Sequence, residues 1–190
     1  CSSDLLDNVS SVSGNFYLTA NTCLNDINGL NNLDTVSATF KISGNDSLTS
    51  LSGLGNLKYI GADLWISYQH NLKSLSGLDN LNYIGDEMLI THSYNLDNII
   101  SLSNLTFVGS QISFWECTRL KSLTGLDNLN IANGSLRISE NLSLKDLSGL
   151  DNITSVGWDL EIRDNDSLTD ISALSGLNSI GSDVWIFGNH

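Results

Sequence analysis

The chain has 190 residues, 41% of them hydrophobic, and is long enough to bury the core of one domain. Its 21 acidic residues outnumber 8 basic ones, and the net charge of −13 disfavours nucleic acid and anionic lipid as partners. No apolar run approaches the roughly 18 residues that a membrane-spanning helix requires.

The sequence repeats every 24 residues from end to end, without an insertion. A fixed period of this length is typical of stacked repeat proteins, in which each turn contacts only its neighbours. The predicted repeats of one domain, 1–190, are 1–24, 25–48, 49–72, 73–96, 97–120, 121–144, 145–168 and 169–190. Positions 3, 6, 9, 12, 16, 18 and 24 of the repeat are apolar in nearly every copy. Because one turn cannot cover them alone, the core must lie between stacked coils.

In chain order, each repeat begins with apolar residues three positions apart, as in Ile27, Leu30, Leu33 and Val36. This spacing favours tight turns or short 3₁₀ segments over full helices. Glycines recur at positions 5 and 13, where bends need a positive φ or close packing. An asparagine recurs at position 8, and it is expected to hydrogen-bond backbone groups where the coil turns.

Positions 15 to 19 alternate between apolar and variable residues, which predicts one short strand per repeat in a parallel sheet. A second asparagine column follows at position 21, and Gln69, Ser93 and Cys117 interrupt it. The interruption predicts a less regular backbone in the central repeats, and the thiol of Cys117 is expected to be buried. The predicted fold is a right-handed β solenoid with few or no long helices.

The segment Leu160-x-Ile162-x-x-Asn165-x-x-Leu168 resembles the leucine-rich-repeat signature. The longer stretch SLSGLGNLKYIGADLWI resembles the repeats of receptor L-domains, which occur in growth-factor receptors, fungal cell-wall proteins and bacterial surface proteins. The resemblance implies an L-domain-like solenoid used for extracellular recognition, and it supplies no catalytic residue or cofactor. We therefore expect a cell-surface module that binds a protein or a glycan, and not an enzyme. The alternative is a structural or accessory subunit of a surface or outer-membrane assembly.

The candidate site lies on the outward positions of the third to fifth repeats, where aromatic residues stand beside a few polar groups, as in binding hot spots. The candidate ligand-binding residues are Trp65, Tyr68, His70, Leu89, His92, Tyr94, Trp115 and Glu116. His92 and Glu116 are predicted neighbours on adjacent coils, but the three histidines lack the spacing of metal ligands, and no metal is expected.

Two other apolar surfaces stand apart from this site. A stripe at position 11 consists of Tyr59, Tyr83, Phe107 and Ile131, and the simpler interpretation is a stacked ladder that covers its own turns. The last repeat exposes Trp185, Ile186 and Phe187. Because solenoid ends need polar caps, we expect a further domain or subunit to cover that end.

The cysteines leave two alternatives open. A chain that begins at Cys1, without an initiator Met, is expected to be processed, and an acyl chain on Cys1 would make it a lipoprotein whose only membrane contact is that anchor. The other alternative is a Cys1–Cys23 disulfide, since the two residues are nearly one coil apart and related L-domains often carry such a bond. The lipid is favoured because a chain with three cysteines seldom begins at one by chance.

Overall fold

The computed structural model describes residues 6–190, and within them each coil contributes two strands. In chain order the strands are β1 Ser11–Val12, β2 Phe16–Thr19, β3 Thr35–Val36, β4 Phe40–Ser43, β5 Tyr59–Ile60, β6 Leu64–Ser67, β7 Tyr83–Ile84, β8 Met88–Thr91, β9 Phe107–Val108, β10 Ile112–Trp115, β11 Ile131–Ala132, β12 Leu136–Ser139, β13 Ser155–Val156, β14 Leu160–Arg163, β15 Ser179–Ile180 and β16 Val184–Phe187. The predicted strand of positions 15 to 19 is confirmed as the even-numbered set. The prediction of a single strand per coil is incomplete, because each coil adds a two-residue strand.

The even-numbered strands form the main sheet, which has eight parallel strands in sequential order. Each strand pairs with the next in a register of 24 residues, as Met88 does with Ile112 and Ile112 with Leu136. Every outward position of the main sheet is therefore a straight column that runs along the solenoid, about 4.8 Å per coil.

The two-residue strands form a five-stranded sheet, β1 to β9, and a three-stranded sheet, β11 to β15. The two small sheets are separated between β9 and β11, and the cause is the residue at position 13. There the backbone of Gly109 donates to the carbonyl of Ile84 at 3.0 Å, and a Cβ at Gly109 would clash with the carbonyl oxygen of Gly85. The sixth coil has Asn133 instead, and its side-chain Nδ2 donates to the carbonyl of Val108 at 2.6 Å. A side-chain bond thus replaces the backbone bond that a glycine would make.

Short 3₁₀ segments and turns connect the strands on the opposite side of the coil. The 3₁₀ segments span Asn28–Leu30, Ser52–Leu54, Ile100–Leu102 and Ser172–Gly176. This agrees with the three-residue spacing of the apolar positions, which does not favour a full helix. Among the described residues, none forms a helix with the length and apolar character needed to cross a bilayer.

The apolar columns form one continuous core between the coils. Leu54, Leu78, Leu102 and Leu126, all at position 6, have no solvent exposure, and the columns at positions 9, 16 and 18 are equally buried in the central coils. Exposure returns only at the ends, where Leu6 is 39% exposed. The stability of each coil therefore depends on the coils on both of its sides.

The asparagines of position 21 bond backbone groups of the preceding coil. Asn141 donates from Nδ2 to the carbonyl of Phe114 at 3.0 Å and accepts at Oδ1 from the backbone N–H of Cys117 at 3.0 Å. Gln69, Ser93 and Cys117 are also fully buried at this position. The prediction of a less regular backbone in the central repeats is wrong, because the strand register continues through them without a shift.

Candidate functional site

A depression of about 490 Å³ opens on the outward face of the main sheet, which we call the strand-face depression. Its lining comes from the outward positions of the even-numbered strands β4 to β14 and from residues next to those strands. The lining residues are Lys41, Trp65, Ser67, Tyr68, Leu89, Thr91, His92, Gln111, Ser113, Trp115, Arg137, Ser139, Glu161 and Arg163. Five of the eight predicted site residues are among them: Trp65, Tyr68, Leu89, His92 and Trp115.

Two indoles stand at diagonal corners of a floor of smaller side chains. Trp65 pairs in register with Leu89, and Leu89 with Ser113. Trp115 lies two residues beyond Ser113 along β10 and pairs with Ser139. The strand spacing and rise place the Cα atoms of the two tryptophans about 12 Å apart. Ser113, which lies between the two indoles, is only 7% exposed, so the floor there is low.

An imidazole lies at the centre of the aromatic residues. The His92 ring stacks on Tyr68, with centroids 4.4 Å apart, and makes a T-shaped contact with the Trp115 ring, with centroids 4.5 Å apart. Its Nε2 lies 3.3 Å from Glu116 Oε2, and the Tyr94 hydroxyl donates to the same oxygen at 3.3 Å. Desolvation, followed by the Glu116 carboxylate, raises the pKa of Tyr94 above its ordinary value. The structure thus brings together the acid and imidazole that were predicted to be neighbours.

The remaining predicted residues lie beside this depression. His70 stacks on Tyr94 with centroids 5.4 Å apart, and its Nδ1 lies 3.0 Å from Asp46 Oδ1. Tyr94 and Glu116 line a second depression of about 400 Å³, together with three further acidic residues, Thr118 and Leu142. His70 lines neither. Within residues 6–190, no group of three or more His, Cys, Asp or Glu side chains is placed to hold a metal ion.

Arg163 anchors a charged wall that the sequence did not single out. Its Nε lies 2.5 Å from Glu161 Oε1, and its Nη1 lies 2.8 Å from Asp164 Oδ2 and 3.2 Å from Glu140 Oε1. These carboxylates, Glu161 foremost, raise the pKa of the Arg163 guanidinium. Glu140 Oε1 also accepts a hydrogen bond from Trp115 Nε1 at 3.1 Å. The charged wall therefore fixes the orientation of an indole at the edge of the site.

Arg137 extends the same wall toward the floor. Its Nη2 lies 3.5 Å from Asp159 Oδ2, and its Nε lies 3.4 Å from Glu161 Oε2. The Ser182 hydroxyl, the backbone N–H of Asp183 and Arg137 together lower the pKa of Asp159. Both arginines of the depression are thus paired with carboxylates.

The residue that follows each strand of the main sheet has a left-handed backbone. The non-glycine residues at this position 20 are Ala20, Tyr68, His92, Glu116, Glu140 and Asp164, with φ between 49° and 58°. Gly44 and Gly188 occupy it in other coils. A non-glycine residue in this region costs about 1–3 kcal/mol, so glycine is the less strained choice. In five consecutive coils, the non-glycine residue at this position lines one of the two depressions.

Outside the main sheet, aromatic residues form a stacked ladder at position 11, and one exposed indole lies at position 14. Tyr59, Tyr83 and Phe107 stack in order, with centroids 4.7 and 4.8 Å apart, which confirms the predicted ladder at position 11. Trp158 lies at position 14, is 65% exposed, and was not identified from the sequence. Within the main sheet, Trp185 on the last strand is 52% exposed, as expected for that coil.

The cysteines are described only in part. Cys117 is fully buried, its Sγ donates to the carbonyl of Ile90 at 3.5 Å, and burial raises the pKa of the thiol to about 12, so the prediction of a buried thiol is confirmed. Cys23 is exposed. Cys1 lies outside the described residues, and the choice between an acyl chain and a Cys1–Cys23 disulfide stays a prediction.

Stacked coils that present one side-chain-rich sheet define a leucine-rich-repeat solenoid, a class that typically serves as a binding scaffold rather than an enzyme. A family model described as BspA type leucine rich repeat region (6 copies) matches residues 4–121, 37–160 and 92–187. The chain therefore belongs to the BspA-type leucine-rich-repeat family, which indicates a surface-associated recognition or adhesion module. No curated protein matches the chain.

Proposed function

We propose that this protein is an extracellular recognition module of a cell surface, and that the strand-face depression binds its ligand, a protein or a glycan. The observation that carries the proposal is the pair of indoles, Trp65 and Trp115, at diagonal corners of a low floor on an otherwise strongly acidic chain. Tryptophan is enriched among the residues that dominate binding energy, since a large apolar ring gains much when a ligand desolvates it.

The walls of the depression are held in place before any ligand arrives. Trp115 is fixed by its hydrogen bond to Glu140 and by its T-shaped contact with His92, while Lys41 lies over the Trp65 ring at 5.2 Å. His92 is itself held by Tyr68 and a carboxylate. A site whose side chains are already ordered loses little conformational entropy on binding, which favours affinity.

The surface location in this proposal is supported by the family, whose repeats are surface-associated. Either an acyl chain on Cys1 or a Cys1–Cys23 disulfide is compatible with that location. The acidic surface is compatible with it as well, since it disfavours nucleic acid as a partner.

The test is a binding panel with the Trp65→Ala/Trp115→Ala double variant. The wild-type chain is immobilised and exposed to neutral oligosaccharides, acidic oligosaccharides and purified extracellular glycoproteins, with and without enzymatic deglycosylation. We expect the double variant to keep its fold by circular dichroism and to lose at least tenfold in affinity for the bound probe, about 1.4 kcal/mol. The matched control is Trp158→Ala, which removes an exposed indole elsewhere on the solenoid. Equal binding by the double variant and the control would reject the strand-face depression as the site.

A second candidate function is a subunit of a surface assembly, and the stripe at position 11 favours it. Tyr59, Phe107 and Ile131 remain 40%, 37% and 47% exposed, although the ladder stacks on itself. An exposed apolar stripe of this kind is a feature of interaction surfaces. If Tyr59→Ser/Phe107→Ser abolishes association with a surface complex and the tryptophan variants do not, the second candidate replaces the first.

A further inference from the structure

The charged groups around the strand-face depression carry a net negative charge, which disfavours an anionic ligand. Two of its three cations, Arg137 and Arg163, lie within ion-pairing distance of carboxylates. The carboxylates that hold them are Glu140, Asp159, Glu161 and Asp164. Four negative groups thus surround two positive ones, and the third cation, Lys41, lies over the Trp65 ring. An incoming carboxylate or sulfate would meet net negative charge, on a chain whose formal charge is −13.

The same wall is well suited to hydroxyl groups. A hydroxyl both donates and accepts, so it can bond a carboxylate and a guanidinium side by side. Glu161, Arg137 and Arg163 present this alternation at one edge of the depression, and Ser67 and Thr91 add hydroxyls in the floor. Charge-assisted hydrogen bonds of this type are stronger than those between neutral groups.

Trp115 offers an apolar surface beside this polar wall. Trp115 is 38% exposed, its Nε1 is bonded to Glu140, and its ring meets the His92 ring at an interplanar angle of 68°, so part of a fixed indole stays open to solvent. A pyranose ring has the matching shape, with an apolar face of C–H groups and a rim of hydroxyls. The volume of about 490 Å³ lies within the usual range for small-ligand sites.

We infer that the strand-face depression takes a neutral, pyranose-containing glycan, with the sugar's C–H face on Trp115 and its hydroxyl rim toward Glu161 and Arg137. This inference rests on the proposed function and narrows its ligand from protein or glycan to uncharged sugar.

The test is a calorimetric titration with short neutral oligosaccharides of glucose, galactose, mannose and N-acetylglucosamine. Each is compared with a counterpart that carries a uronic acid or sialic acid. We expect at least one neutral sugar to bind, and its acidic counterpart to bind at least about tenfold more weakly. Trp115→Ala should lower the affinity at least tenfold, Trp115→Tyr should restore most of it, and Trp158→Ala should leave it unchanged.

The outcomes distinguish a failure of the neutral-sugar inference from a failure of the strand-face depression as the ligand site. Acidic sugars that bind as tightly as neutral ones, with the same dependence on Trp115, would overturn the inference and leave the site in place. The inference would also be overturned, and the site left in place, if no sugar binds while a deglycosylated protein from the panel binds through Trp65 and Trp115. Sugar binding that survives both Trp115→Ala and Trp65→Ala would overturn the inference and the proposed site together.

Discussion

Leu102→Ala should destabilise the protein by about 2–5 kcal/mol, because Leu102 has no solvent exposure and lies between two coils. Its equivalents one coil before and after, Leu78 and Leu126, are also fully buried. The substitution removes three carbon atoms from a site that fixed backbones enclose on both sides, so neighbours cannot easily fill the cavity. The loss therefore combines the transfer energy of those atoms with a cavity term.

Leu6→Ala is the matched control, at the same repeat position but 39% exposed in the first coil. Its cost should be less than about half that of Leu102→Ala, because a partly hydrated side chain loses less on truncation. Both are measured by urea unfolding, followed by circular dichroism and by tryptophan fluorescence to check that the two transitions coincide. Equal losses for Leu102→Ala and Leu6→Ala would refute the stacked-core register.

Three further predictions test the frame around the site. Gly109→Ala should cost at least about 1–3 kcal/mol in unfolding free energy, since its Cβ would clash with backbone of the preceding coil, whereas Gly14→Ala, which meets no atom within 4 Å, should be close to neutral. Burial, followed by Asp63, raises the pKa of Glu87, so its contribution to stability is largest below the unfolded pKa and falls as pH rises. Glu87→Gln should therefore raise Tm at pH 7 but not at pH 3, and an equal shift at both would contradict this cause. Cys117, with its pKa near 12, should react with a thiol reagent at pH 8 no faster than the protein unfolds, and rapid reaction in the folded state would contradict its burial.

The repeat frame was predictable because its causes recur in every coil. A side chain that must be buried at position 6 is Leu in all eight repeats, so period and spacing identify the core directly. The two-residue strands were missed because two residues are too few to show alternation. The central interruption suggested irregularity, yet Ser93 Oγ and Cys117 Sγ still donate to backbone carbonyls there, so those coils keep their register.

For the site, the sequence predicts which outward positions carry aromatic residues, but not which side chains contact one another. Trp65 and Trp115 were identified because aromatics at outward positions are visible in the columns. The roles of Arg137 and Arg163 depend on carboxylates 22 to 24 residues away or on the same strand, and the sequence does not show which of these side chains meet. The left-handed backbone of position 20 has one trace in the sequence, the two glycines Gly44 and Gly188 in the same column.

The location of the ligand site is tested most directly by the four indole N–H resonances of the ¹⁵N-labelled protein. They belong to Trp65, Trp115, Trp158 and Trp185, and each is assigned by its Trp→Phe variant. The chain is titrated with the tightest-binding probe of the panel. We predict that the Trp65 and Trp115 resonances shift together and saturate at one Kd, while those of Trp158 and Trp185 stay in place. A saturating shift confined to Trp158 or Trp185 would contradict the assignment of the strand-face depression as the binding site.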